Sequence, residues 1–296
     1  MLVRPSYAAA TLAAVIGCAP RSHPAGPTAA PALPSAAAPT SAPAPAGRAP
    51  DVVRLGPSAL RYVVHRRLHI QQALGGQPQS QDLGAQIFVA VLISGPSDSL
   101  GYRASFTVDS IVADSGTPAA VAVSMTRARR LMFDGRLDGR GEFRNPAASD
   151  TALAQSLIQL LGNFRDFLPR LPAEGLKLGA DWTDTLAGTQ RGGGALVTRR
   201  TIAHSAAAAW EDHGGVHSLR LDIGASYTIQ GSGDGGGQPF ELGGTGSVSG
   251  VAYVAADGRY LGGESRDSSS LTVSFPVQGL GIPVIQVTRS SVAVRP

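Results

Sequence analysis

From Leu60 onward apolar and polar residues alternate. Leu60, Tyr62, Val64, Arg66, Leu68 and Ile70 fall on one side, and Arg61, Val63, His65, Arg67, His69 and Gln71 on the other. Because a strand sends successive side chains to opposite faces, this period of two predicts one face on a core and one in water. Tyr102, Ala104, Phe106, Val108 and Ser110 alternate in the same way against Arg103, Ser105, Thr107 and Asp109. Leu219, Leu221, Ile223, Ala225, Tyr227 and Ile229 do so against Arg220, Asp222, Ser226 and Thr228. Such alternation favours antiparallel sheet, since parallel strands are usually buried on both faces. The segment from Gln86 to Ile93 is apolar after its first residue and is predicted as a central strand.

Turn residues punctuate the pattern. Asp257-Gly258 separates Val251-Ala252-Tyr253-Val254 from Tyr260-Leu261, and Asp-Gly suits a tight hairpin because both positions tolerate positive φ. Asp134-Gly135 and Asp138-Gly139 supply two further turn signals. Near the C-terminus Ile285 and Val287 are odd-numbered while Val292 and Val294 are even-numbered, so a bulge near Arg289 to Ser291 is expected to bring both pairs to one face.

One stretch has a different period. Asp150 can cap a run in which Leu153, Leu157, Leu160, Leu161, Phe164 and Leu168 recur at spacings of three and four, and Pro169 ends it. The spacing predicts an amphipathic helix near 150–168 lying on the sheet. Its large apolar side chains contribute about 1.5 to 3 kcal/mol each when buried. The fold class is therefore mainly β: a large curved antiparallel sheet or unclosed β-barrel of about nine to ten strands with one packed helix. Residues 51–296 are read as a single domain, a size common for all-β domains. The tripeptide Asp-Gly-Arg occurs at 134–136 and again at 257–259, a hint of duplication that two ordinary hairpins would equally explain.

The chain before this domain is of another kind. Arg4 precedes an apolar, alanine-rich run from Tyr7 to Ile16, followed by Gly17-Cys18. The run is too short to span a membrane but suits an export signal. It resembles a bacterial lipoprotein signal over residues 1–18, which implies that Cys18 becomes the lipid-modified first residue. Cys18 is the sole cysteine, so the chain can form no internal disulfide, and lipidation accounts for the unpaired thiol. Ala19 follows where aspartate is associated with retention at the inner membrane. The resemblance thus implies a protein anchored in the cell envelope and, if the host has two membranes, at the outer one facing the periplasm. Residues 19–50 are rich in Ala, Pro, Ser and Thr, cannot bury enough apolar surface to order themselves, and are expected to form a disordered linker.

Charge narrows the partners. The formal net charge is +4, but Arg4, Arg21 and Arg48 stand before residue 51 with no acid, so the domain itself carries about +1. With no basic block interleaved with aromatics, nucleic acid is not an expected partner. Lys177 is the only lysine in the chain, a bias that points to a GC-rich genome rather than to arginine chemistry.

After the helical stretch the chain reads Leu168-Pro169-Arg170-Leu171-Pro172-Ala173-Glu174-Gly175-Leu176-Lys177-Leu178-Gly179-Ala180-Asp181-Trp182. A proline, a short spacer and Gly-x-x-Trp opening a strand resemble a feature of uncharacterised bacterial envelope lipoproteins. These are similar in outline to the lipoprotein-carrier fold, an unclosed antiparallel barrel with helices in its mouth. The resemblance implies a curved sheet and a hollow able to hold acyl chains, and it supplies no catalytic residues. On physical grounds alone, Pro172 and Gly179 fix a turn and Trp182 anchors the new strand.

Several chemistries find little support. Gly231-x-Gly-x-x-Gly236 matches a dinucleotide fingerprint in letters, but Gln238-Pro239-Phe240 and a strand follow where a helix N-terminus is needed. His65 and His69 share a strand face about 13 Å apart at ~3.3 Å per residue, too far to share a metal. His213 and His217, with Glu211 and Asp212, flank Gly214-Gly215, where a turn would bring them together; an isolated pair in a hairpin is more often solvated. No Gly-x-Ser-x-Gly nucleophile motif occurs. No catalytic residue, metal ligand or cofactor is expected, and three readings follow. The first is a non-enzymatic envelope lipoprotein binding an apolar ligand or another lipoprotein between sheet and helix. The second is a structural or interaction lipoprotein with a filled core and arginine-bearing wet faces. The third, a periplasmic hydrolase, has no motif behind it.

Overall fold

The computed structural model describes residues 50–295 apart from 75, 162–163, 193–194 and 236; Cys18 and nearly all of the expected linker lie outside the described residues. Five strands come first: β1 (Ser58–Leu74), β2 (Gln77–Asp98), β3 (Gly101–Ala113), β4 (Met132–Leu137) and β5 (Phe143–Ala148). Six follow: β6 (Asp181–Gly192), β7 (Ala195–His213), β8 (Val216–Asp234), β9 (Pro239–Ala255), β10 (Tyr260–Phe275) and β11 (Leu280–Arg295). Helices α1 (Ala119–Arg127), α2 (Thr151–Ser156) and α3 (Ile158–Leu161) complete the elements used below.

All eleven strands form one antiparallel sheet in the order β5-β4-β3-β2-β1-β11-β10-β9-β8-β7-β6, not closed into a barrel. The sheet is two meanders. One runs outward from β1 to β5, and the chain then crosses through α2 and α3 to the opposite edge and returns from β6 to β11, which pairs with β1. The first and last strands are thus joined at the centre, and the free edges are β5 and β6. The strand count exceeds the nine to ten read from alternation, because β4 and β5 are too short to show a period.

The face that carries the core, here the inner face, holds Tyr62, Val64, Leu68 and Ile70 of β1 and Leu219, Leu221 and Tyr227 of β8, all buried as their alternation requires. Four expectations need correction. β2 is central, yet its apolar run is not buried on both faces: Ile87, Val89, Val91 and Ile93 are buried while Leu92 is 48% exposed. In β3 the register shifts so that Phe88 faces Ser110 and Val89 faces Val108. The extra residue, Asp109, turns Ile111 into the core and Ser110 out of it. Asp134-Gly135 is no turn but lies within β4, where the pairing with β5 is irregular and a Cβ on Gly135 would meet the Phe143 ring. Asp257-Gly258 does lie in the β9–β10 turn, with Gly258 at φ +85°, and Asp138-Gly139-Arg140 lies between β4 and β5, so the three copies of the tripeptide do not share one structure.

The fourth correction concerns β11. It runs in unbroken register with β1 from Val284 to Arg295, without a bulge. Ile285 therefore points outward at 47% exposed, while Val284 is buried. The reason is that the inner face itself becomes polar halfway along β11, at Gln286, Thr288 and Ser290, so apolar residues there need not keep one parity.

The helical stretch packs as its spacing predicts, but not as one helix. Asp150 caps α2, its carboxylate accepting from the Leu153 N–H at 2.9 Å. Helical geometry is interrupted at Leu157, α3 follows, and Phe164 has a left-handed φ of 55°. Leu157, Leu160, Leu161, Phe164 and Leu168 are all buried. Phe164 stacks on Phe106 with centroids 5.0 Å apart and meets Phe133 edge-on at 5.3 Å. The break lets short helical pieces follow a curved surface that a straight helix would leave. α1 sets Met125 in the core, with Val121 and its C-cap Ala128 at helical spacing beside it; its further sequence signals are Pro118 before it and Arg127 in its last turn.

Candidate functional site

The inner face carries two apolar clusters. The larger gathers Tyr62, Phe106, Phe133, Leu157 and Phe164 at one end, and the smaller gathers Leu68, Phe240, Leu271, Phe275 and Ile282 towards the other. Charged and hydroxyl groups occupy positions between them. The Tyr227 hydroxyl on β8 donates to the Asp267 carboxylate on β10. The Arg199 guanidinium of β7 lies 3.6 Å from the Tyr227 ring centroid, with its Nη2 3.7 Å from the second Asp267 oxygen. Burial, then the hydrogen bond to and charge of Asp267, push the Tyr227 phenol up to about 12. On β1, Arg66 donates from Nη1 to the Leu160 carbonyl of α3 at 3.0 Å, while its Nε is shielded from solvent and unpartnered. Burial lowers the Arg66 guanidinium, and the charges of Asp267 and Asp166 oppose that effect. This set holds the α3 end onto the sheet and ties three strands together. Its one carboxylate is engaged by both Tyr227 and Arg199.

The outer face presents a second arrangement. Register pairing places Arg67 of β1 opposite Arg289 of β11, and Arg289 opposite Arg266 of β10. The same row continues through Ser249 of β9, Gly224 of β8, His204 of β7 and Thr183 of β6. Three guanidinium groups thus stem from adjacent strands about 4.8 Å apart, beside Ser249, whose side chain is small, and Gly224, which has none. An open hollow of about 670 Å³ lies over this row, lined among others by His65, Arg67, Glu264, Arg266, Arg289 and Ser291. A smaller one of about 350 Å³, lined by Asp181, His204, Asp222 and Gly224, adjoins it through Ser249 and Gly250. Arg67 is held by Asp114, Nε to Oδ2 at 3.1 Å. Among the described residues neither Arg266 nor Arg289 has an acidic partner within 4 Å.

The residues singled out in the sequence are dispersed. His65 contacts Gln86 at 3.2 Å and His69 contacts Asp82 at 2.8 Å, so the two engage different neighbours on β2. His213 stacks on Tyr253 at 3.8 Å and His217 on Trp210 at 4.9 Å. The hairpin brings His217 opposite Asp212, but no group of three metal-ligating side chains forms among the described residues. Gly231 and Gly233 lie within β8, which leads to β9. Trp182 is half-buried against the larger cluster, and Gly179, at φ +76°, precedes it. The arginine row went unread because Arg67 stands about two hundred residues before Arg266 and Arg289 in the chain; of the residues lining the hollow, alternation placed Arg67 and His65 on a wet face.

No family model matches this chain, and no curated protein matches it. Among solved structures it is similar to OccK2 (OpdF) of Pseudomonas aeruginosa, with 10% identity, 80% of this chain and 98% of that chain covered, and a TM-score of 0.29. It is also similar to DynF from the dynemicin biosynthesis pathway of Micromonospora chersina, with 10% identity, 86% and 89% covered, and a TM-score of 0.20. At TM-scores of this size neither likeness bears on function.

Proposed function

We propose that this chain is a non-enzymatic envelope lipoprotein, anchored through Cys18, that acts through the outer face of its sheet rather than by carrying an apolar ligand inside it. The observation that carries this reading is the packing of Phe164 on Phe106 and Phe133, with Leu157, Leu160 and Leu161 buried around them. The space between helical segment and sheet, where a carrier would seat acyl chains, is occupied by the protein's own side chains. The signal-like residues 1–18 and the lone cysteine support the anchor. Two acyl chains or more give lasting attachment where one holds only marginally.

Two measurements test the two halves of the reading. Cys18→Ala should abolish metabolic labelling by palmitate; labelling that survives removes the anchor. Native mass spectrometry of the Cys18→Ala chain should show the bare polypeptide mass. A stoichiometric co-purified lipid would favour the carrier reading instead.

A further inference from the structure

We infer that Arg67, Arg266 and Arg289 form a binding site for a phosphate group on the outer face of the sheet, a proposal that rests on the outer-face reading above and names its ligand chemistry. The row has a cost that the fold does not need to bear. Like charges directly opposite on neighbouring strands are destabilising, and here two such pairs share Arg289. The acids nearby do not cancel them. Asp114 engages Arg67, and Glu264, two residues before Arg266 on the same face, lines the hollow without pairing with either remaining guanidinium. Arg266 and Arg289 are exposed, so their forks are open to an incoming anion.

The chemistry of the row selects the anion. Guanidinium groups offer planar, paired donors that match the oxygens of phosphate, and their charge is permanent. Two unengaged guanidinium groups on adjacent strands suit the double charge of a phosphate better than the single charge of a carboxylate. His65 and the hydroxyls of Ser249 and Ser291 line the same hollow and add donors. The continuation past Ser249 and Gly250 towards His204, Asp181 and Asp222 leaves room for the rest of a longer molecule whose phosphate sits at the arginine end.

The test uses the full chain carrying Cys18→Ala, so that attachment to a bilayer cannot come from the anchor. Calorimetric titration with inorganic pyrophosphate should show saturable binding at one site per chain. Arg289→Ser should weaken it by at least about tenfold, the loss of a charge-assisted contact, while leaving the melting temperature unchanged or raised. Arg61→Ser removes an outer-face cation that pairs with Asp109 and lines neither hollow, and should change binding by less than about twofold, as a surface pair away from the site should. Phosphatidylglycerol vesicles that displace pyrophosphate, where phosphatidylcholine vesicles do not, would assign the site to lipid headgroups. Pyrophosphate binding that such vesicles leave intact would assign it to a soluble phosphate compound. The proposal is overturned if no saturable binding occurs, if Arg61→Ser weakens binding as much as Arg289→Ser, or if Arg289→Ser lowers the melting temperature together with binding. None of these outcomes depends on whether a lipid co-purifies, so this proposal and the filled-core reading fail separately.

Discussion

The Tyr227 hydroxyl reaches the Asp267 carboxylate across an intervening strand, and it does so over Gly246, which is paired with Tyr227 on one side and with Ser269 on the other. A Cβ on Gly246 would collide with the ring carbon and hydroxyl of Tyr227. The glycine therefore serves as the gap through which β8 and β10 are joined, a use of glycine in a strand that its missing side chain permits.

Gly246→Ala should accordingly cost about 1–3 kcal/mol, as overpacking in a closed site does. In a Tyr227→Ala background part of that cost should vanish, because the colliding ring is gone while the Ser268 carbonyl, 2.7 Å from the same Cβ, remains. Denaturant melts of the two single variants and the double variant measure the coupling. Additive costs would mean that Gly246 acts through strand propensity alone.

Alkaline pH should weaken the fold. The Tyr227 phenol is raised to about 12, and burial raises Tyr62 and Tyr260 further. Unfolded tyrosine titrates near ~10. A raised phenol keeps its proton in the folded chain while the unfolded chain loses its own, so the contribution is intact below pH ~10 and is lost as pH climbs through the folded value. Unfolding free energies at pH 8, 10 and 11.5 should fall along this series. Tyr227→Phe should make the fall shallower, whatever its effect at pH 8.

The helical stretch should behave as core. Leu157→Ala should cost about 2–5 kcal/mol and Phe164→Ala about 3–5 kcal/mol. Arg165→Ala should cost less than about 1 kcal/mol, since that side chain is 57% exposed and 4.0 Å from Glu142. Equilibrium melts decide the matter. An apolar truncation as stable as the parent would mean that the segment is a loose cover.

Arg66 is predicted to be replaceable by an apolar side chain of similar length. Its Nε has no partner, and burial already disfavours its charge. Arg66→Met removes that burden and keeps the packing of the stem but also removes the donor to the Leu160 carbonyl; the two effects oppose, so stability should stay within about 1 kcal/mol of the parent. Asp267→Ala should instead cost about 1–3 kcal/mol by leaving Tyr227 and Arg199 without their acceptor. Thermal melts of the two variants side by side test the contrast.

Local pattern made much of the sheet legible. Alternation in 60–71 and 219–229 needed only a strand with one dry face, and the Asp150 cap and leucine spacing located the segment that covers it. Where alternation misled, the inner face had changed character along its own length. Polar residues between the two clusters removed the reason for β11 to bulge, and the half-open outer face left the apolar run of β2 exposed at Leu92. The single helix failed for a geometric reason, since leucine spacing records which side chains are buried but not that the surface beneath them curves.

What the sequence by itself determined is therefore one-dimensional: strand periodicity, a cap and a turn at Asp257-Gly258. Each is set by neighbours a few positions apart. Tertiary structure alone decided which strands stand side by side, because strand pairing depends on loop paths and on the whole inner surface closing over its core. The arginine row exists only through that decision. Arg67, Arg266 and Arg289 become neighbours when the last strand returns to pair with the first, and nothing local to any of the three foretells it.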